Sequence, residues 1–237
     1  MEDQIILIDK PAGISSFGVV ARVRRELRDQ FGHKVKLGHT GTLDPFATGL
    51  LILLSGKMTK RSNEFLKHDK VYEATLKLGY TSTTGDPEGE IQEYLNSGPR
   101  PSGPSPRADG ANSRAAALRN APNQSILKST LQSFVGTITQ TPPKYSAIKI
   151  NGQRAYKLAR KGEDFEIPSR KVTIYSIDIL DYNYPELKIR AHVSSGTYIR
   201  TLAEDIGKAL GTGAYLTALR RTKIADYDVK DARQITL

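Results

Sequence analysis

The chain has 237 residues, with 35 Lys and Arg against 25 Asp and Glu for a formal net charge of +10, and neither Cys nor Trp. Without cysteine there is no disulfide framework, thiolate metal site or thiol nucleophile. The longest apolar run, residues 50–54, is far too short to span a bilayer, and the opening Met1-Glu2-Asp3 carries no basic-then-apolar leader. A cytoplasmic protein with a core of its own is expected at 38% hydrophobic residues, and the positive excess points towards a polyanionic partner.

In chain order, residues 5–9 read as a short strand, followed by the turn Lys10-Pro11-Ala12-Gly13. Ser16 is the N-cap candidate of a helix running to about Asp29, with Val19, Val20, Val23 and Leu27 along one face. The continuous apolar run 48–55 has strand length and stops at Gly56; a short helix is expected over 59–66. Residues 71–78 alternate apolar and polar, the pattern of a half-buried strand, and 84–89 are dense in turn formers.

Residues 97–124 differ in kind. They hold five of the twelve prolines, three glycines and four arginines, with Leu118 as the single large aliphatic. Such a composition predicts a flexible insertion. Order resumes with Ser125 as the expected cap of a helix bearing Leu127, Leu131 and Phe134. The run 145–150 ends at the hairpin signal Asn151-Gly152. Residues 172–174 and 187–193 read as strands, and 197–210 as a helix with Leu202, Ile206 and Leu210 at four-residue spacing before Gly211. Strands and helices alternate without a βαβ rhythm, which predicts a mixed, largely antiparallel α+β fold.

Charge is unevenly spread. Residues 1–96 are neutral overall, with 13 basic and 13 acidic groups, whereas residues 141–237 carry +6. The surplus gathers in Arg154-Lys157-Arg160-Lys161, Arg170-Lys171 and Arg220-Arg221-Lys223. Arginines beside tyrosines can hold phosphates and stack on bases, although a solvated face explains such clusters equally well.

Chemistry concentrates in Gly38-His39-Thr40-Gly41-Thr42-Leu43-Asp44-Pro45-Phe46-Ala47-Thr48-Gly49, a glycine- and threonine-rich loop entering an apolar strand. Asp44, fixed before Pro45, is of a type that serves as nucleophile, general base, metal ligand or turn cap. The four histidines, 33, 39, 68 and 192, form no HxxxH or HxH pair, so the sequence signals no metal. No GxSxG elbow, GxxxxGK[ST] or GxGxxG occurs, and no cofactor is expected.

The segment GHTGTLDPFATGLL resembles the signature of the TruB family of tRNA pseudouridine synthases. IDKPAGISSF, KVYEATLKLGYTSTTGDPEG, QTPPKYSAIKINGQRAYKLARKG, SSGTYIRTLAEDIG and LTALRRTKI resemble successive blocks of that family, in order and over most of the chain outside 97–124. The resemblance implies a pseudouridine synthase fold over residues 1–237 and isomerisation of the uridine at position 55 in the tRNA T-loop, by a monomer without metal or cofactor. It implies that Asp44 is the catalytic carboxylate, Arg200 its partner, and Tyr72 the ring stacked on the target base. Tyr198 is implied as a second aromatic of the pocket, Leu219 as its apolar floor, His39 in flipping the nucleotide, and Lys60 as a phosphate contact. The small C-terminal RNA-binding (PUA-type) domain usual in bacterial members is not expected here. The competing readings are a guide-RNA-dependent relative and a non-catalytic RNA-binding protein of the same fold.

Overall fold

The computed structural model describes residues 3–94, 121–150 and 152–235. The chain begins with β1 (Ile5–Lys10), α1 (Ser16–Phe31), β2 (Leu37–His39) and β3 (Thr48–Ser55). A 3-10 turn (Gly56–Arg61), α2 (Ser62–Leu66), β4 (Lys70–Leu78), β5 (Tyr80–Ser82) and β6 (Ile91–Glu93) follow. The second half adds α3 (Gln124–Ser133), β7 (Gly136–Gln140), β8 (Lys149–Ile150), β9 (Gln153–Arg154), α4 (Ala155–Arg160), β10 (Arg170–Asn183) and β11 (Glu186–Val193). It closes with α5 (Ile199–Ala209), β12 (Ala214–Ile224), β13 (Tyr227–Asp228), a second 3-10 turn (Val229–Asp231) and β14 (Arg233–Gln234).

One large sheet, ordered β14-β1-β3-β12-β4-β11-β10-β7, organises the molecule, with β2 beside β3 and β13 beside β12. Pairing is antiparallel except at β1–β14 and β3–β12, so the expected α+β class holds. The unbroken apolar run of β3 has a direct cause. Leu51 and Leu53 pack with α1 residues Val19, Val20, Val23 and Leu27, while Leu50, Ile52 and Leu54 pack with Phe65 and Ile224. A strand covered on both faces has no polar side to show. β4, by contrast, buries every second residue, from Lys70 to Leu78. It joins the largest cluster, where Ala74 and Leu76 meet Leu187 and Ile189 of β11 and Leu202 and Ile206 of α5.

Several boundaries differ from the sequence expectation. Ser15, not Ser16, caps α1 by accepting from Gly18 N at 3.0 Å. Ser16 is buried and bonds both polar backbone groups of Leu43, a tertiary contact that no local rule anticipates. Asn123, not Ser125, caps α3, accepting from Ile126 N at 2.9 Å. Residues 121–124, grouped with the insertion by composition, are thereby tied down, and Pro122 O accepts a 2.7 Å bond from the Tyr182 hydroxyl; most of 97–124 lies outside the described residues. The helix expected over 59–66 is split between the first 3-10 turn and α2. The strand expected over 172–174 extends to Asn183, because β11 supplies a partner along that length. β7 and β12, unassigned by pattern, also form.

Candidate active site

The Asp44 loop bridges β2 and β3 and is held by three sets of side chains. Ser16 Oγ accepts from Leu43 N at 2.8 Å and donates to Leu43 O at 2.9 Å. Lys10, wholly buried, donates from Nζ to Pro11 O, Ile14 O and Pro45 O at 2.8, 2.7 and 3.1 Å. Arg221, 1% exposed, donates from Nε to Leu50 O at 2.8 Å and from Nη2 to Gly41 O at 3.1 Å. The residues on both sides of Asp44 are therefore fixed by buried donors. Gly49 lets this happen: at φ +102°, a Cβ there would lie 2.3 Å from Arg221 O, so β12 approaches β3 only across a glycine.

Arg200, in the first turn of α5 and 4% exposed, faces Asp44. Its Nε lies 3.1 Å from Asp44 Oδ2 and its Nη2 donates to Asp44 Oδ1 at 3.4 Å. A second carboxylate meets the same guanidinium: Asp86 Oδ2 is 3.3 Å from Nη1, and Asp86 is also 4% exposed. The backbone carbonyls of Thr84 and Tyr145 accept the remaining donors at 3.0 and 2.8 Å. A cation at a helix N-terminus opposes the helix dipole, and the two carboxylates offset that cost. Asp86 is itself fixed by Thr84 Oγ1 at 2.5 Å and Glu88 N at 3.0 Å. Sequence reading missed Asp86; its only signal was an aspartate in a turn, which the turn alone accounts for.

Burial pushes the Asp44 carboxyl above its ordinary value, with Arg200 pulling it back and Asp86 adding to the rise. Asp44 keeps a third of its side chain open, so it is the member of the pair that an incoming molecule can reach. Glu88 is raised by burial and by the charges of Asp86 and Asp44. Lys10 is pushed down to about 8 by burial, against the pull of Asp44. Among the described residues no group of three or more acidic or histidine side chains is placed to hold a metal ion, and no helix is long and apolar enough to cross a membrane.

The structure brings most of the expected residues together. Tyr72, on β4, and Leu219, on β12, are both buried in the apolar cluster that contains Leu43 and Ala47, the residues flanking the Asp44 turn. Tyr198 stands at the N-cap of α5, two residues before Arg200, with the Arg170 guanidinium 4.9 Å from its ring centre. The 1% exposed side-chain amide of Gln140 clamps Tyr198, accepting from its N at 2.7 Å and donating to its O at 3.1 Å. No side chain of α5's own caps that helix, so Gln140 supplies the missing hold. His39 is half-buried beside Phe17, its Nδ1 is buried without a hydrogen-bond partner, and burial, Arg221 and Arg154 lower its pKa.

Lys60 stands apart. It is exposed in the first 3-10 turn, beyond the end of β3 opposite the Asp44 loop, about 23 Å of strand away. The basic cluster 220–223 is engaged by partners within the chain, though only Arg221 is buried. Arg220 pairs with Asp9 through two bonds of 3.0 and 2.8 Å, Arg221 is the buried clamp, and Lys223 lies 3.5 Å from Asp228.

A carboxylate–guanidinium–carboxylate group with one carboxylate partly open thus stands beside a cluster of aromatic and aliphatic residues of the main sheet. The class is that of the pseudouridine synthases. The family model described as TruB family pseudouridylate synthase (N terminal domain) matches residues 28–102 and 106–199, and the model described as tRNA pseudouridylate synthase B C-terminal domain matches 200–237. The chain belongs to the TruB family and is a pseudouridine synthase. It is 42% identical to tRNA pseudouridine synthase B of Phocaeicola vulgatus, over 99% of this chain and 91% of that protein. It is 43% identical to the protein of the same name from Flavobacterium johnsoniae, over 100% and 95%. A solved Cbf5-Nop10-Gar1 complex contains a chain that superposes with a TM-score of 0.66 at 28% identity; the match covers all of this chain and 52% of that one, about half its length. Residues 200–235, under the second family model, form α5 from its second residue on, β12, β13 and β14, with β12 and β14 in the main sheet.

Proposed function

We propose that this protein converts the uridine at position 55 of the tRNA T-loop to pseudouridine, with Asp44 as the reacting carboxylate. The observation that carries the reading is Arg200, buried and shared between Asp44 and Asp86, with Asp44 alone partly open. In the reaction the bond from uracil N1 to C1′ breaks, the base turns, and C5 bonds to C1′. The proton on C5 leaves and N1 takes one up, so no electrons are gained or lost. Asp44 acts in its ionised form, whether it attacks the sugar or removes a sugar proton. Arg200 orients that carboxylate and holds part of its charge, and Asp86 holds Arg200. Tyr72, Leu219 and Tyr198 enclose the base, while His39 occupies the space vacated when the nucleotide leaves its stack, offsetting part of a cost of a few kcal/mol.

Relatives of 42–43% identity named tRNA pseudouridine synthase B support tRNA as the substrate. The test is tritium release from tRNA transcripts labelled at uridine C5, with no guide RNA, partner protein or added cofactor. Release is expected from the wild type, with none from Asp44→Asn and none from a transcript carrying C at position 55. Silence of the wild type on every T-loop uridine would sink the reading and leave an RNA-binding protein of the same fold.

A further inference from the structure

Phe17 is 71% exposed, against 36–49% for the other exposed large apolar side chains described. A lone exposed apolar residue is ordinary, but the position of Phe17 is not. It lies off the buried face of α1, which is formed by Ser16, Val19, Val20, Val23 and Leu27. It follows Ser16, whose two bonds to Leu43 tie this turn of helix to the residue before Asp44. Its ring meets that of His39 edge-on, with centres 6.0 Å apart and planes at 84°. The helix anchor and the ring contact together fix an exposed aromatic face at the rim of the Asp44 site. A bare aromatic ring held in place suits stacking by a planar base.

We propose that Phe17 is the stacking platform for an unpaired nucleobase next to the target uridine. The proposal rests on the RNA-modifying role of the site and assigns it a second base-binding position. Because Phe17 is exposed, its replacement leaves the fold intact, and Phe17→Ala is expected to melt with the wild type. The experiment compares wild type, Phe17→Ala, Phe17→Leu and Phe17→Trp on C5-tritiated tRNA and on T-arm transcripts with single abasic nucleotides beside the target. Ala and Leu are expected to raise KM about tenfold with kcat within twofold, and Trp to match the wild type, since only a π face supports stacking. One abasic position should weaken the wild type strongly and Phe17→Ala hardly at all, as expected for two halves of one interaction. An unchanged KM for Phe17→Ala, full rescue by Leu, or equal abasic penalties in both proteins would overturn the proposal. The same transcripts are titrated by fluorescence anisotropy, so that Phe17 is judged on affinity even if the wild type releases no tritium, a result that counts against the pseudouridine reading alone.

Discussion

Asp44 is held between opposing forces, and its behaviour with pH follows from them. Its folded pKa lies above the ordinary carboxylate value because burial outweighs Arg200. Folding therefore favours the protonated form: the contribution of Asp44 to stability is complete below its unfolded pKa and is lost as pH rises through the folded one. Activity runs the other way, since the ionised form reacts, and kcat should fall as pH drops through that raised value. Asp44→Asn, which removes the buried charge while Arg200 keeps Asp86, is expected to abolish turnover and to leave Tm at pH 7 equal to or above that of the wild type. Arg200→Lys keeps the charge but cannot serve both carboxylates and two carbonyls at once. A loss of roughly 100-fold in kcat is expected from the misplaced carboxylate, with the acidic limb of the pH profile moved upward.

At the level of elements, the site depends on where α5 and β12 are pinned. Gln140→Ala leaves Tyr198 N without a partner at the start of the helix that carries Arg200, and leaves Tyr198 O with the Leu202 N–H alone. The expected cost is about 1–3 kcal/mol, read as a Tm fall of several degrees, together with a fall in kcat. Gln140→Glu, which keeps an acceptor for Tyr198 N but offers no amide donor to its O, should fall between the two. If kcat of both variants stayed at the wild-type value, the clamp would be structural only. Gly49→Ala is the more severe change, because its Cβ would meet the backbone of Arg221 and the φ of +102° disfavours any side chain. A destabilisation on the order of 3 kcal/mol or more is expected, seen as loss of soluble protein or a large drop in Tm.

For the whole molecule, the basic residues divide into those held at the site and sheet and those exposed on the surface. Arg170, Arg200, Arg220 and Arg221 are bound to internal partners, so they offer little to a phosphate backbone. Arg154, Lys157 and Arg160, on β9 and α4, are exposed. Arg154→Glu with Arg160→Glu is expected to weaken tRNA binding and to reduce the slope of log affinity against log salt by about one for each phosphate no longer neutralised. Reversal at Arg170 would also disturb Tyr198, whose ring it covers, and so would not report on binding alone. An unchanged salt slope in the double variant would show that these residues face solvent rather than RNA.

Local pattern was enough to define β1, α1, β3, β4, β11 and α5, because each has a buried face with the period of its own backbone, or, in β3, two buried faces. It was also enough to single out the Asp44 loop, whose glycines and Asp-Pro pair announce a constrained turn, and the family likeness joined Arg200 to it across 156 positions. What local pattern could not supply were contacts between distant segments. Ser16 reads as a cap until Leu43 is folded against it, and Asp86 reads as a turn residue until Arg200 arrives. Arg221 reads as surface charge until its strand is laid beside Gly49. Length, composition and patterning along the chain set the class of fold and the absence of cysteine chemistry. The tertiary structure alone decided which charges face inward, because the burial and pairing of a charge depend on neighbours far away in sequence.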